Sequence, residues 1–275
     1  MSRRPFAFII WLLAACVASA NGLPARSAGA SAAQTATLDG VALGAPIQAV
    51  VKALGTPGLV ATTDDGHEWR WYDAGGLDVD LLADNALLVR QVLVGRPQAL
   101  NGATSKLVQP REFPVLEQPA STAAAFMKSI GAVRQTEPED TVSAWHVGDH
   151  LVVLELISGA VHKIFALDAA SASHLGYIPG TPAPHFHAPR LLGQFAVDYP
   201  KRAIERRAQG VVVVEVSVQA SGSVKDVHIL VSSGDPDIDA AETLSMRRSK
   251  FQPALCDGQP CDSIYLDRED YTLPL

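Results

Sequence analysis

The sequence predicts an α+β fold: a small helix–hairpin–helix–strand domain over residues 195–275, preceded by one or two units that each combine a helix with an antiparallel meander. Three observations carry that prediction. Val212, Val214, Val216 and Val218 share one parity while Glu215, Ser217 and Gln219 share the other, the pattern of a strand with one buried and one wet face. The chain turns at Ala220-Ser221-Gly222-Ser223 and resumes the pattern with Val227, Ile229 and Val231, which makes a hairpin. Upstream, a helix followed by short apolar strands and turns occurs twice, over residues 37–98 and 121–168.

From the start of the chain, residues 1–20 read as a signal peptide. Arg3-Arg4 is the positive region, Phe6 to Ala15 the apolar one, and Ala18-Ser19-Ala20 a small-residue cleavage site. The apolar run is short of the about 20 residues a bilayer-spanning helix needs. Leu13-Ala14-Ala15-Cys16 has the form of a bacterial lipobox, which makes Cys16 a lipidation candidate; the alternative is a leader cut after Ala20, with Cys16 as one of its apolar residues. Either route exports the chain, and membrane contact runs through the signal or lipid anchor only. Residues 21–36, rich in Ala, Ser, Gly and Thr, read as a flexible spacer.

In the first unit, Ile47, Val50, Val51 and Leu54 mark an amphipathic helix ended by Gly55-Thr56-Pro57. Strands follow at His67 to Tyr72, Leu77 to Leu82 and Leu87 to Val94. In the second, Ala123 to Ile130 is a helix ending at Gly131, with strands at Ala144 to His146, Leu151 to Leu156 and Val161 to Leu167. Lys52-Ala53-Leu54-Gly55 matches Lys128-Ser129-Ile130-Gly131, and Trp71 matches Trp145, an internal duplication with a period of about 75 residues. Two such units pack as one continuous sheet or stand as separate lobes. Residues 169–194 read as a Pro/Ala/Ser-rich linker. His185 and His187 are expected as exposed linker side chains, since no third ligand accompanies them.

The C-terminal domain opens with Tyr199-Pro200 and a short helix holding Ala203, Ile204 and Ala208, stopped by Gly210. After the hairpin, Ser232-Ser233-Gly234 breaks the strand and Asp235-Pro236 starts a helix, the Asp as an acceptor for free amides. That helix is expected to turn Ile238, Ala241 and Leu244 inward and to end in Arg247, Arg248 and Lys250, suited to its negative end. Phe251-Gln252-Pro253 closes it, and Ile264 to Leu273 offers a last strand. Tyr199-Pro200, Ala203, Gly210, Gly222, Ser232-Ser233-Gly234, Ile238-Asp239-Ala240-Ala241 and Phe251-Gln252-Pro253, in this order and spacing, resemble the TonB C-terminal domain family over roughly the last third of the chain. Ser249-Lys250 departs from the aromatic-basic pair that usually precedes the Phe.

The chemistry of the chain points to binding. A net charge of −7 argues against a general nucleic-acid or anionic-membrane binder. No Gly-x-Ser-x-Gly elbow, phosphate loop or His-Glu-x-x-His occurs, so no catalytic residue, metal or cofactor is expected. Glu68, Asp78 and Asp80 cluster acidic groups around the first meander; a solvated face explains them as well as a metal would, and they are the one foothold for an enzymatic role, the third reading. Cys256 and Cys261 bracket the turn Asp257-Gly258-Gln259-Pro260 and suit a structural disulfide in an oxidising compartment. The resemblance implies a periplasmic protein that takes an outer-membrane receptor or another envelope protein by strand addition, in support of transport across the outer membrane. An open three-stranded sheet leaves an edge unpaired, so the contact is expected at Tyr199, Pro200, Ile264, Tyr265, Leu266, Asp267, Arg268 and Glu269; a core-capping aromatic is the alternative for Tyr199, and edge protection the alternative for the charges of Asp267, Arg268, Glu269 and Asp270. A homodimer through this domain is also compatible. A second reading is an envelope scaffold or assembly lipoprotein that uses the domain for contact without energy transduction.

Overall fold

A computed structural model describes residues 37–38, 40–72, 74, 76–96, 109–135, 141–174 and 185–273, all within one compact unit. Residues 1–36, expected as a signal peptide with Cys16 as a lipidation candidate and a flexible spacer, lie outside the described residues. Among the described residues no helix is long and apolar enough to cross a membrane.

A two-residue ribbon, β1 (Thr37–Leu38) and β2 (Val41–Ala42), leads into helix α1 (Ile47–Leu54) and strands β3 (Leu59–Thr63), β4 (Gly66–Trp71), β5 (Asp78–Ala83) and β6 (Val89–Gly95). Helix α2 (Ala120–Ser129) then precedes β7 (Val133–Arg134), β8 (Val142–Val147), β9 (His150–Ile157) and β10 (Ala160–Leu167), and α3 (Ala169–His174) follows. All eight strands from β3 to β10 form one antiparallel sheet in the order β3-β4-β5-β6-β10-β9-β8-β7. That order is symmetric about the β6–β10 seam, where Val94 faces Ile164. Each half is a helix and a four-strand meander whose last strand lies at the centre, so the two halves join as one sheet.

Burial explains the pairing. Ile47 and Val50 of α1, and Ala123 and Met127 of α2, pack with Trp69, Trp71, Leu81, Val92, Leu154 and Ile164 in one cluster. Trp71 stacks on Trp69 with ring centroids 6.2 Å apart and donates its indole N–H to the Gly55 carbonyl at 2.8 Å, tying a strand to the end of α1. Strand β3 is absent from the sequence reading. It lies at the sheet's edge with every residue half-buried, so it lacks the alternation that reveals β4.

Of residues 169–194, expected as a linker, 169–174 form α3, 175–184 lie outside the described residues, and 185–193 hold two strands. β11 (Phe186–His187) and β12 (Arg190–Gly193) pair with β16 (Ala254–Cys256) and β15 (Lys250–Gln252). His187 is held by Asp64, with Nδ1 3.2 Å from a carboxylate oxygen. The C-terminal region also holds α4 (Lys201–Glu205), β13 (Gly210–Val218), β14 (Val224–Val231), α5 (Pro236–Arg248), β17 (Gln259–Cys261) and β18 (Ser263–Tyr271). Cys256 and Cys261 are bonded across the β16–β17 turn, with Cα atoms 5.8 Å apart.

A three-stranded antiparallel sheet in the order β14-β13-β18 carries two cores. Val212, Val214, Val216 and Val218 pack with Ile238 and Met246 of α5. The opposite face of β13 departs from the expected wet surface: Val213 is fully buried and joins Leu266, with Val211, Val231 and Ile264 alongside, in the core of the eight-stranded sheet. Leu244 also departs from its expected inward position, being 39% exposed. The buried stripe of α5 runs instead through Ile238, Ala241, Glu242, Ser245 and Met246. Asp235 caps α5, accepting from the amides of Asp237 at 3.0 Å and Ile238 at 3.3 Å while Arg206 grips its carboxylate. Asp235→Ala is expected to lower Tm by roughly 3–6 °C, measurable by circular dichroism, with Asp235→Asn recovering most of the loss because an amide oxygen still caps.

Candidate functional site

Strand β18 is an edge. It pairs with β13 from Gly210↔Tyr271 to Val218↔Ser263 and has no other ladder partner among the described residues. The amide of Leu266 points away from β13 and donates to Thr62 Oγ1 of β3 at 2.8 Å. Amides alternate sides along a strand, so Ile264, Leu266, Arg268 and Asp270 face the open side, while Tyr265, Asp267 and Glu269 serve the ladder. Proline at Asp267 or Glu269 therefore breaks the β13–β18 ladder itself. An edge test belongs at Arg268 or Asp270.

The eight residues expected at the contact have different surroundings. Tyr199 turns its hydroxyl inward to the Ala208 carbonyl and meets Tyr271 edge-on at 5.5 Å, while Pro200 is the residue before α4. Ile264 and Leu266 pack on the eight-stranded sheet's core, and Tyr265 lies against Phe251 at 5.1 Å. Arg268 binds Asp270 through two nitrogens at 2.6 and 3.1 Å and donates through Nε to the Pro57 carbonyl at 2.9 Å. Glu269 is exposed.

Asp267 overturns its reading as an edge-protecting charge. It lies against Glu242 of α5, which is 1% exposed and accepts from the Tyr271 hydroxyl at 3.0 Å. Glu242 Oε1 and Asp267 Oδ2 are both buried with no other partner, so one proton shared between the carboxyls satisfies both. Burial first, then the charge of Asp267, pushes the Glu242 carboxyl up to about 7; burial, then Glu269, pushes Asp267 up to about 6.

The residues that meet the edge were not singled out from the sequence. Thr62 Oγ1 also lies 3.2 Å from His67 Nδ1, and His67 Nε2 lies 3.1 Å from Asn85 Oδ1. His67 is 1% exposed, and burial lowers its pKa to about 4, so the neutral ring donates to Asn85 and accepts from the Thr62 hydroxyl. The signal available was the run Leu59 to Thr63, rich in β-branched residues and set between Pro57-Gly58 and Asp64-Asp65-Gly66. The acidic cluster holds a cation of its own: Arg70 reaches Asp80 at 2.6 Å and Glu68 at 3.0 Å. At the sheet's other edge, Ile229 of β14 borders a groove of about 500 Å³ with Pro236, Leu244 and Arg247 of α5.

Residues 196–273 match the family described as Gram-negative bacterial TonB protein C-terminal, and this segment is a TonB C-terminal domain. No curated protein matches the chain. Among solved structures, an extracellular protein containing a SCP domain from Bacillus anthracis str. Ames is similar at 9% identity and a TM-score of 0.35, over 55% of this chain and 51% of its own. A cysteine-rich secretory protein from Staphylococcus aureus subsp. aureus Mu50 is similar at 10% identity and a TM-score of 0.36, over 48% and 44%. The chain thus spans about half the length of these proteins or less, and similarity of that order identifies neither fold nor function.

Proposed function

We propose, from the TonB C-terminal domain formed by residues 196–273, that this is an exported envelope protein that binds an extended segment of a protein partner by strand addition to β18. The observation that carries the reading is that β18 has one ladder partner among the described residues, with the open side of Leu266 met by a side chain and not by a strand's main chain. An outer-membrane receptor or a similar envelope protein is the partner class, and the periplasm is the compartment. The disulfide across the β16–β17 turn suits that oxidising location.

A second reading, an envelope scaffold without energy transduction, draws on a different observation. The three-stranded sheet buries Val213 and Leu266 in one core with the eight-stranded sheet, and such a fused body lacks the independence of a domain carried on a long arm. In-cell photocrosslinking in the native host separates the two. A photoreactive residue at Asp270 is expected to form an adduct with an outer-membrane protein that one at Lys225 on β14 does not, and Arg268→Pro should remove it. Adducts of equal yield from both strands would defeat the strand-addition reading. Collapse of the proton gradient changes the adduct if the protein transduces energy and leaves it unchanged if it is a scaffold.

A further inference from the structure

We infer that β3 is an internal pseudo-ligand: it fills the edge of β18 in cis, and its chemistry describes the partner segment that replaces it. The inference rests on the reading of β18 as the docking edge. Three side chains carry it. Thr62 Oγ1 takes the outward amide of Leu266 at 2.8 Å, where the carbonyl of an added strand would sit. Arg268 takes the carbonyl of Pro57, the residue two before β3, at 2.9 Å. Asp64, just after β3, takes the amide of Ala188 at 2.7 Å and the ring of His187, so the segment is pinned at both ends.

The contact is preorganised. His67 Nδ1 accepts the Thr62 proton, which turns the lone pairs of Oγ1 toward Leu266. It is also replaceable, because β3 and β18 belong to separate sheets and no main-chain ladder joins them. A segment that forms such a ladder offers several main-chain hydrogen bonds in place of two that each use a side chain, and so competes effectively. The occupant in cis, Leu59-Val60-Ala61-Thr62-Thr63, is uncharged and rich in β-branched residues. A matching partner segment is therefore extended and neutral, with a hydroxyl or carbonyl opposite Leu266. The face behind the edge, Ile264 and Leu266, stays covered by the N-terminal core, so the partner reads the edge and not that face.

The experiment uses the full chain and a fluorescent synthetic peptide of residues 57–65 as probe. Thr62→Val keeps the shape of the side chain and removes the acceptor, while Thr62→Ser keeps the acceptor. In Thr62→Val the Leu266 amide is expected to exchange with deuterium at least tenfold faster, with the amides of Val212 to Val216 unchanged. The same variant should bind the peptide at least tenfold more tightly than the wild type does, and Thr62→Ser should behave as wild type. Unchanged exchange at Leu266 would overturn the pseudo-ligand. Faster exchange without peptide binding would instead show that the open edge takes no strand, which overturns the proposed function and this inference with it.

Discussion

Replacing Gly222 by alanine is expected to lower stability by on the order of 4 kcal/mol, a fall of about 10 °C in Tm for a body of this size. Two independent costs add there. Gly222 sits at φ 81° in the β13–β14 turn, a conformation that costs an L-residue roughly 1–2 kcal/mol. A Cβ on it would also lie 2.3 Å from the Phe251 carbonyl oxygen and 3.5 Å from Pro253 Cδ, so the hairpin must lift off the strand after α5. Gly234 provides the control. Its φ is 86°, nearly the same, and a Cβ there meets nothing within 4 Å. Gly234→Ala should therefore show the conformational cost alone, about 1–2 kcal/mol. Urea denaturation of both variants tests the difference; equal losses would mean that the close approach to Phe251 contributes nothing.

That contact explains why the C-terminal domain was legible in the sequence. Its landmarks touch one another. Gly222 meets Phe251 and Pro253, and Gly210 meets Ser233, whose carbonyl oxygen a Cβ would approach to 2.5 Å. Ser232 and Ser233 both hydrogen-bond to Asp239, the acid of the Ile-Asp-Ala-Ala helix. Each is a backbone or short side-chain requirement that few residue types meet, so residue identity alone announces it.

The docking of the two sheets was less legible, because an ordinary threonine and arginine make it. A clue lay in Val211-Val212-Val213-Val214, a continuous apolar run that marks a strand buried on both faces, whereas the reading rested on Glu215, Ser217 and Gln219 further along. In α5 the buried stripe was hidden by its polar members. Ser245 is buried because it donates to the Phe195 carbonyl at 2.8 Å, and Glu242 because Tyr271 and Asp267 attend it. A periodicity counted on apolar residues alone passed over both and took Leu244 instead.

The Glu242–Asp267 pair leads to the second large effect, a stability difference that depends on pH. Both carboxyls are raised above their ordinary values of 4.5 and 3.8, to about 7 and about 6, so the folded chain holds protons there that the unfolded chain has released. Their contribution is full below about pH 4 and is lost as pH rises through 6 to 7. At pH 8 two charges are buried side by side, and at pH 5, below both values, the two carboxyls are largely protonated. Glu242→Gln removes one charge, keeps an oxygen for the Tyr271 hydroxyl and offers an N–H to Asp267. The variant is expected to be more stable than wild type by on the order of 2 kcal/mol at pH 8, with the advantage vanishing at pH 5. The comparison between variant and wild type at each pH is the informative one, because the buried His67 works in the opposite direction. Its pKa is lowered to about 4, so it weakens both chains equally as pH falls below 6.5. Urea midpoints of the two chains at pH 5 and pH 8 decide the matter. A difference that does not change with pH would mean that the folded chain does not hold extra protons at Glu242 and Asp267.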